Sequence, residues 1–388
     1  MVDDLSAAPL RPLATITPDL QTLADYERRA PAHLPAATWA HIEETAGTGL
    51  TRRDNRAAFD RWRLLPRALA NLSGGSTAVD LPGGRHAAPI LLAPLAYQRI
   101  VHPEGELAAI GAATALDIGV ALSTLSSVTL EAVAESRRET AAQLDKAAAP
   151  LWFQLYLQPR REDSLALVRR AEQAGYQAIV LTIDAGVKRS GFVLPPGVDA
   201  VNLAGQPRPR HVAAPGGRIL FGTPLADAVP RWEDLAWLRA ATTLPVLVKG
   251  TMIGSDADRM IGEGVDGLIL SNHGGRVLDS LPASLDLLPL LVETVAGRVP
   301  VLLDGGVRTG TDIVKALCLG ARGVLIGRPV LNALAVAGMP GVAHVCHLLR
   351  AELEAAMAQL GCPTVGDLTL DRLFRSNPAA SGLIPGGG

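Results

Sequence analysis

Short apolar runs recur along the chain and alternate with stretches of helical periodicity. Each run has four to seven mostly aliphatic residues without polar alternation, which is typical of parallel strands buried on both faces. The runs lie at residues 89–94, 118–123, 152–156, 178–184, 245–250, 267–272, 300–305 and 323–328. Helical patterns separate them, for example at 161–176, 255–265 and 309–321, and the last two end on glycines suited to a helix C-terminus. Eight strand–helix units predict an α/β fold, a closed (β/α)8 TIM barrel rather than an open doubly wound sheet.

Two further segments extend the predicted barrel of residues 89–375. Residues 1–88 are interpreted as a mainly helical N-terminal extension packed on the barrel. Residues 185–230, after the fourth barrel strand, are too long and too rich in Pro and Gly for a usual connection. This insert is interpreted as an active-site lid, with a disordered loop as the alternative, and residues 376–388 as a flexible tail.

Composition excludes several classes of partner. The 388 residues are 48% hydrophobic with a formal net charge of -2, so we expect a large core and no nucleic-acid partner. Cys318, Cys346 and Cys362 show no spacing of a disulfide framework or of a metal site, so no metal is expected. The first residues lack a basic signal region, and no apolar run reaches the roughly 20 residues of a membrane span. We expect a cytoplasmic protein without a membrane partner.

Polar residues close most of the predicted strands. In a TIM barrel the carboxyl ends of the strands carry the active site, because the loops that follow them converge there. One such residue alone is usually a cap or a turn, but residues of this kind at seven strands indicate a site. They are Ser123, Gln154, Tyr156, Thr182, Asp184, Lys249, Asn272, His273, Asp304 and Arg328.

The loops after the last two strands predict a phosphate site. They read DGGVRTG at 304–310 and IGRP at 326–329. Their glycines, Gly305, Gly306 and Gly327, permit close backbone approach, and Arg308 and Arg328 supply charge and forked donors. We therefore expect a phosphorylated ligand.

FMN suits this ligand site better than a nicotinamide dinucleotide. No GxGxxG motif opens a helix after a strand, which disfavours a Rossmann-type site. Gln154, Thr182 and Ser123 are candidates for the polar edge of the flavin ring. Lys249 is a candidate for stabilising negative charge near N1 and the C2 carbonyl of the reduced ring, with a salt bridge to a neighbouring acid as the alternative.

The stretch SNHGGR at 271–276 adds a base and an anion anchor. His273 is suited to accept a proton near neutral pH, and Arg276 to hold a carboxylate by a bidentate pair. We expect His273 to take the hydroxyl proton of a 2-hydroxy acid while hydride passes from C2 to flavin N5. Asp184 is predicted to orient the imidazole, and the hydroxyl of Tyr156 to bind the substrate oxygen.

These residues resemble the FMN-dependent 2-hydroxy acid oxidases and dehydrogenases, which include glycolate, lactate and mandelate enzymes and hydroxymandelate oxidase. The resemblance runs from about residue 20 to 375 and rests on the segments 92–106, 154–156, 181–184, 247–250, 271–276, 303–313 and 326–329. It implies a TIM barrel, a homo-oligomer such as a tetramer, His273 as the base, and Arg276 and Tyr156 at the substrate. The implied FMN contacts are Pro94, Leu95, Ala96, Ser123, Gln154, Thr182, Lys249, Ser271, Asp304, Gly305, Gly306, Arg308, Gly327 and Arg328.

The sequence departs from this family at the substrate side. His41 stands ten residues before Thr51, where the family has a carboxylate-binding tyrosine. The loop after Asp184 is shorter by roughly six residues and lacks the usual second arginine, for which Lys188 and Arg189 are candidate substitutes. Leu125 replaces a tryptophan of the glycolate enzymes and Tyr97 is placed to stack on an aryl group. We therefore expect a bulky or aryl, mandelate-like substrate.

Other functions share parts of this pattern. An oxidative decarboxylase or monooxygenase of a hydroxy acid would use the same site, and the electron acceptor is oxygen, a quinone or a protein. An inosinate dehydrogenase needs a catalytic loop cysteine, whereas Cys318 falls in a helical pattern. A type 2 isopentenyl diphosphate isomerase does not call for the base and anchor of 271–276. A barrel that binds a phosphorylated ligand with altered or no oxidase activity is the non-catalytic alternative.

Overall fold

The computed structural model describes residues 8–187, 191–206, 220, 221, 223, 226 and 229–376. The N-terminal extension contributes three helices, as the mainly helical prediction expects, and three short strands that the sequence analysis did not anticipate. These elements are α1 Leu23–Arg29, α2 Ala36–Glu43, α3 Leu50–Asp60, β1 Trp62–Leu64, β2 Val79–Leu81 and β3 Gly84–His86.

Eight parallel strands close into one barrel, in the order β10-β11-β4-β5-β6-β7-β8-β9. All eight apolar runs form the predicted strands, with bounds within two residues of those expected. The strands are β4 Ile90–Leu92, β5 Gly119–Ser123, β6 Leu151–Leu155, β7 Ala178–Thr182, β8 Val246–Thr251, β9 Gly267–Leu270, β10 Val301–Asp304 and β11 Gly323–Ile326. The TIM barrel prediction is confirmed.

Helices cover the outside of the barrel. They are α4 Glu106–Ala115, α5 Leu130–Gln143, α6 Arg161–Ala174, α7 Trp232–Ala241, α8 Gly254–Gly262, α9 Ser284–Val295, α10 Gly310–Cys318 and α11 Arg328–Gln359. Gly264 and Gly320 follow α8 and α10 with positive φ, so the predicted glycine ends are present. A last short strand, β12 Leu373–Arg375, pairs antiparallel with β1 and so fixes the end of the described chain to the N-terminal extension.

Helix α11 is long and apolar enough, by length and composition, to cross a membrane, which the sequence analysis did not recognise. In the structure 78% of its apolar window is buried within the protein. The helix is also interrupted at Ala337 and Gly338, which have non-helical φ and ψ. Burial against α4, α10 and α1 accounts for its apolar composition.

Part of the predicted lid packs against the barrel. Val201–Leu203 form a short 3-10 helix, and the buried side chain of Asn202 accepts a hydrogen bond from the N–H of Leu130 at 3.0 Å. Asn202 also donates to the hydroxyl of Ser126 at 2.7 Å. Residues 188–190, 207–219 and the predicted tail from 377 onward lie outside the described residues.

The barrel interior changes from apolar to polar at its carboxyl end. Its apolar layer includes Leu91, Ala121, Trp152, Val180, Leu247, Ile269, Leu302 and Leu325. Side chains alternate along a strand, so the residue two positions further on also points inward, one step nearer the mouth. Those residues are Ala93, Ser123, Gln154, Thr182, Lys249, Ser271, Asp304 and Gly327. Strand geometry therefore places the predicted cofactor residues in one ring above the core.

Candidate active site

Lys249 and Asp304 form a buried ion pair in this ring. The Nζ atom of Lys249 lies 2.8 Å from Oδ2 of Asp304 and donates to the hydroxyl of Ser271 at 2.9 Å. Ser271 in turn donates to Asp304 at 2.7 Å. Burial alone would lower the pKa of Lys249, but Asp304 and Asp184 outweigh it, so the pKa is raised and the ammonium stays charged. The salt bridge considered as the alternative for Lys249 is thus present, and it fixes a cation at the barrel mouth.

Two polar atoms of the ring are buried without a hydrogen-bond partner among the described residues. They are Nε2 of Gln154 and Oγ1 of Thr182. The other end of the Gln154 amide is held, because Oε1 accepts from the hydroxyl of Ser123 at 3.2 Å. An unsatisfied buried polar atom costs about 1–3 kcal/mol. A ligand with polar atoms at its edge, such as a flavin ring, fits this pair.

The loop after β10 brings backbone close to the N-terminal extension. Gly305 and Gly306 have positive φ, and a Cβ on Gly306 would lie 2.2 Å from the carbonyl oxygen of Asn55. Only glycine allows this approach. Asn55 and Asn272 exchange two amide hydrogen bonds of 2.8 Å, which tie α3 to the end of β9. The predicted phosphate loop therefore packs closely against α3.

Several arginines meet beside this loop. Burial and the neighbouring charges of Arg52 and Arg276 lower the pKa of Arg328 to about 9. The guanidinium of Arg328 donates to the carbonyl oxygens of Ile42, Gly274 and Glu44. Arg308 contacts Glu27 at 3.3 Å. A region so rich in cations favours an anion. Together with Lys249, Gln154 and Thr182, these arginines fit FMN, with its phosphate near β10 and β11.

His273 and Asp184 form the acid–base pair of the mouth. Nδ1 of His273 lies 2.8 Å from Oδ1 of Asp184. A carboxylate only accepts, so the proton is on Nδ1 and Nε2 is the basic nitrogen. Burial outweighs the opposing effect of Asp184 and lowers the pKa of His273 below 6.5. Burial raises the pKa of Asp184, but the charges of His273 and Lys249 outweigh this effect. The pKa is therefore lowered overall, and the carboxyl group is ionised.

The backbone around His273 explains the two glycines that follow it. His273, Gly274 and Gly275 have successive φ values of 55, 63 and 74°. A histidine in this left-handed region is strained, and its N–H bond to the hydroxyl of Ser271, at 3.0 Å, helps to hold it. A Cβ on Gly275 would lie 2.8 Å from the backbone nitrogen of Arg52. Glycine is thus required for this turn to pack on α3.

A second glycine positions Asp184. Gly250 has a φ of 108° and lies at a register shift in the pairing of β8 with β9. A Cβ at Gly250 would lie 2.7 Å from the Cβ of Asp184. The bulge therefore makes room for the carboxylate to reach His273.

Arg276 is anchored on the N-terminal extension. Its guanidinium donates to the carbonyl oxygens of Ile42 at 2.7 Å and His41 at 3.0 Å, and to Oε2 of Glu44 at 3.3 Å. The ring of His41 stacks on Phe192, with centroids 4.3 Å apart and an angle of 13° between the planes. The predicted carboxylate-binding residues Arg276 and His41 are thus neighbours.

Tyr156, Tyr97 and Leu125 lie on adjoining loops. Burial raises the pKa of Tyr156 to about 12, and Lys249 and Asp184 are among the charges that act on its hydroxyl. The N–H of Tyr97 donates to the carbonyl of Leu125 at 3.0 Å, so the backbones of these two loops are joined. Their predicted contact with the substrate side chain stays a prediction.

Pro94, Leu95 and Ala96 are half-buried on the loop after β4. Leu95 adjoins the other predicted FMN loop, since a Cβ on Gly327 would lie 3.8 Å from its side chain. Lys188 and Arg189, the candidate substitutes for the second arginine, fall outside the described residues.

Sequence reasoning missed Glu44 and Phe192. Neither belongs to a strand end or to a recognised motif, because α2 and the segment after 190 reach the mouth only through tertiary packing. For Glu44, the available signal in the sequence is the pair of acids at 43–44, close to the predicted substrate residue His41. Asn55 is not among the predicted site residues, and its bonds to Asn272 show that it links α3 to the end of β9.

Comparisons with known proteins show the family of the chain. Residues 30–375 match the family model of the FMN-dependent dehydrogenases. The chain is 46% identical over 377 residues to an L-lactate oxidase of Alicycliphilus denitrificans, covering 95% of this chain and 100% of that protein. It is 40% identical to a 4-hydroxymandelate oxidase of Amycolatopsis orientalis, covering 89% and 96% respectively.

The solved structures that match include mandelate oxidase with (S)-2-phenylpropionate. The TM-score is 0.79 at 39% identity, with 91% of this chain and 98% of that chain covered. Family, fold and cofactor class thus agree with the predictions from the sequence. The chain therefore belongs to the FMN-dependent dehydrogenase family and is an FMN-dependent oxidase of a 2-hydroxy acid.

Proposed function

We propose that the protein oxidises a 2-hydroxy acid with a bulky or aryl side chain to the 2-oxo acid, with His273 as the base. The hydrogen bond between His273 and Asp184 carries this proposal, because it leaves Nε2 of the imidazole free to accept the hydroxyl proton. FMN, when bound, supplies the two-electron acceptor for the hydride lost from C2 of the substrate.

The protein residues divide the remaining tasks. Arg276 binds the substrate carboxylate, since its guanidinium is fixed by two main-chain carbonyls and keeps further donors. The hydroxyl of Tyr156 stays protonated because its pKa is about 12, so it donates a hydrogen bond to the substrate oxygen. Asp184 stabilises the imidazolium that forms when His273 takes the proton.

The charge on Lys249 suits the FMN site. Its ammonium is buried, paired with Asp304 and held in the ring of inward-facing residues. A preorganised cation in a site of low dielectric stabilises negative charge that develops on a bound ring. Gln154 and Thr182 supply the hydrogen bonds to the polar edge of that ring.

The aryl preference rests on the residue types at Tyr97 and Leu125, whose loops are joined by a backbone hydrogen bond. Among the relatives, one is named for 4-hydroxymandelate, and the matching solved structures include those of mandelate oxidase. Others are named for L-lactate, a smaller acid. Leucine at 125 leaves more room than tryptophan, and Tyr97 offers an aromatic face beside it.

A panel of hydroxy acids tests the proposal. The purified holoenzyme is mixed without oxygen with glycolate, lactate, mandelate and 4-hydroxymandelate, and flavin absorbance is followed by stopped flow. We expect the aryl acids to bleach the flavin fastest and to yield 2-oxo acids, and readmitted oxygen to restore the absorbance. Fastest reduction by glycolate would contradict the aryl preference. A decarboxylated product would indicate the monooxygenase alternative.

We also propose a homotetramer in the cytoplasm. The cytoplasmic part is supported by Cys318, Cys346 and Cys362, which are buried free thiols. The tetramer is proposed on the resemblance to the 2-hydroxy acid oxidase family, which implies a homo-oligomer. Sedimentation of the holoenzyme tests the oligomer: a monomer at micromolar concentration would contradict it.

A further inference from the structure

Glu44 places a carboxylate of the protein between the two residues expected to bind the substrate carboxylate. Its Oε2 atom lies 3.3 Å from Nη2 of Arg276 and 3.9 Å from Nδ1 of His41. Burial lowers the pKa of Arg276, and Glu44 is the largest of the effects that raise it again. In this structure Glu44 thus compensates the charge that a substrate carboxylate is expected to compensate.

The position of Glu44 lets its side chain move while its backbone stays. Glu44 is the first residue after α2, and its carbonyl oxygen accepts from Arg328 at 3.3 Å. The side chain keeps 32% of its surface exposed, against 18% for Arg276. Arg276 is held from the other side by the carbonyls of Ile42 and His41. The carboxylate of Glu44 can therefore turn into water without loss of the arginine's anchor.

Two carboxylates beside one guanidinium repel each other. Like charges a few ångströms apart in a partly buried site interact unfavourably, and water screens them only in part. A bound substrate anion must then either exchange with Glu44 at Arg276 or bind beside it at a cost in affinity. A ligand that is neutral at this position does not meet the same repulsion.

We propose that Glu44 is a specificity-determining residue that competes with the substrate carboxylate for Arg276. It weakens the binding of 2-hydroxy and 2-oxo acid anions and so favours release of the anionic product. The inference rests on the proposed function, because it takes Arg276 as the anchor of the substrate carboxylate.

The test compares Glu44→Gln with the unchanged holoenzyme. Dissociation constants of pyruvate and phenylglyoxylate, and of the neutral phenylglyoxylamide, are measured from the change they cause in flavin absorbance. We expect both anions to bind roughly three- to tenfold more tightly to the variant, since a partly exposed ion pair is replaced by a neutral amide. Binding of the amide should change by less than about twofold, within the effect of an exposed charge.

Two further variants separate competition from damage to the fold. Glu44→Ser also removes the charge and should tighten anion binding, whereas Glu354→Gln on the outer face of α11 should change nothing. A structural role for Glu44 would weaken the binding of all three ligands. Unchanged or weaker anion binding in both Glu44 variants, with flavin still reducible by hydroxy acids, would overturn the inference alone. An unchanged enzyme that no hydroxy acid reduces would instead overturn the proposed function.

Discussion

Nδ1 of His273 and Oδ1 of Asp184 lie 2.8 Å apart, although 89 residues separate them in the chain. Asp184 follows β7 and His273 follows β9, so β8 lies between their strands in the barrel. Gly250, at the bulge of β8, allows the carboxylate to cross this gap. The contact fixes the tautomer of the imidazole and directs its basic nitrogen away from Asp184.

The pH dependence of flavin reduction follows from the pKa of His273. Because burial lowers this pKa below 6.5, the imidazole is neutral and able to accept a proton at pH 7. We expect the rate constant of reduction by a hydroxy acid to be constant between about pH 7 and 8 and to fall as the pH drops below about 6.5. Stopped-flow reduction across this range checks it. An acid limb centred above pH 7 would contradict the assignment.

Replacing Asp184 with Asn should slow reduction by at least about 10²-fold. The amide neither stabilises imidazolium nor fixes the proton on Nδ1. Asp184 raises the pKa of His273, so its removal should also move the acid limb to lower pH. FMN content is the control and should stay near that of the unchanged protein. A normal rate of reduction in the Asp184→Asn holoenzyme would mean that the contact has no part in the reaction.

Replacing Arg276 with Met should raise the KM for the hydroxy acid by roughly 10- to 100-fold, because charge-assisted hydrogen bonds to the carboxylate are lost. FMN binding should weaken far less, since Arg276 is assigned to substrate. Arg276→Lys keeps the charge but not the fork, and an intermediate KM is expected. Steady-state kinetics and titration with FMN measure both effects. Equal loss of substrate and FMN affinity would count against this assignment.

Replacing Leu125 with Trp tests the proposed contact of residue 125 with the substrate side chain. The larger ring would fill space beside Tyr97, whose N–H is bonded to the carbonyl of residue 125. We expect kcat/KM for mandelate to fall at least roughly tenfold more than kcat/KM for lactate. Equal effects on the two acids would show that residue 125 does not contact the substrate side chain.

The Lys249–Asp304 pair should contribute to the stability of the fold as well as to the FMN site. Lys249→Met leaves a buried carboxylate without its cation and should lower the free energy of unfolding of the apoprotein by about 3–5 kcal/mol. Lys249→Met combined with Asp304→Asn removes both charges and should recover much of that loss. Urea unfolding measures the two variants. A double variant less stable than the single one would contradict a dominant charge effect.

The sequence predicted the barrel and most of its mouth because both depend on local patterns. Strand periodicity alone points Gln154, Thr182, Lys249 and Asp304 into the interior, two positions after apolar residues. Six of the eight predicted strands end one or two residues too late, since periodicity does not show where pairing stops.

The remaining features depend on contacts between distant segments. Glu44 and Phe192 reach the mouth through packing of the N-terminal extension and of the segment after β7, which no local pattern encodes. The β1–β12 pair joins residues more than 300 positions apart. The apolar composition of α11 is local, but its burial against other helices is a tertiary property that the sequence alone does not show.

The most direct test of the account is anaerobic reduction of the His273→Ala holoenzyme by mandelate, followed by stopped flow. The variant should retain FMN, because His273 is assigned to proton transfer and not to cofactor binding. Its flavin should bleach at least about 10²-fold more slowly than in the unchanged enzyme, the typical contribution of a general base. Bleaching at the unchanged rate would contradict the central claim that His273 takes the substrate proton.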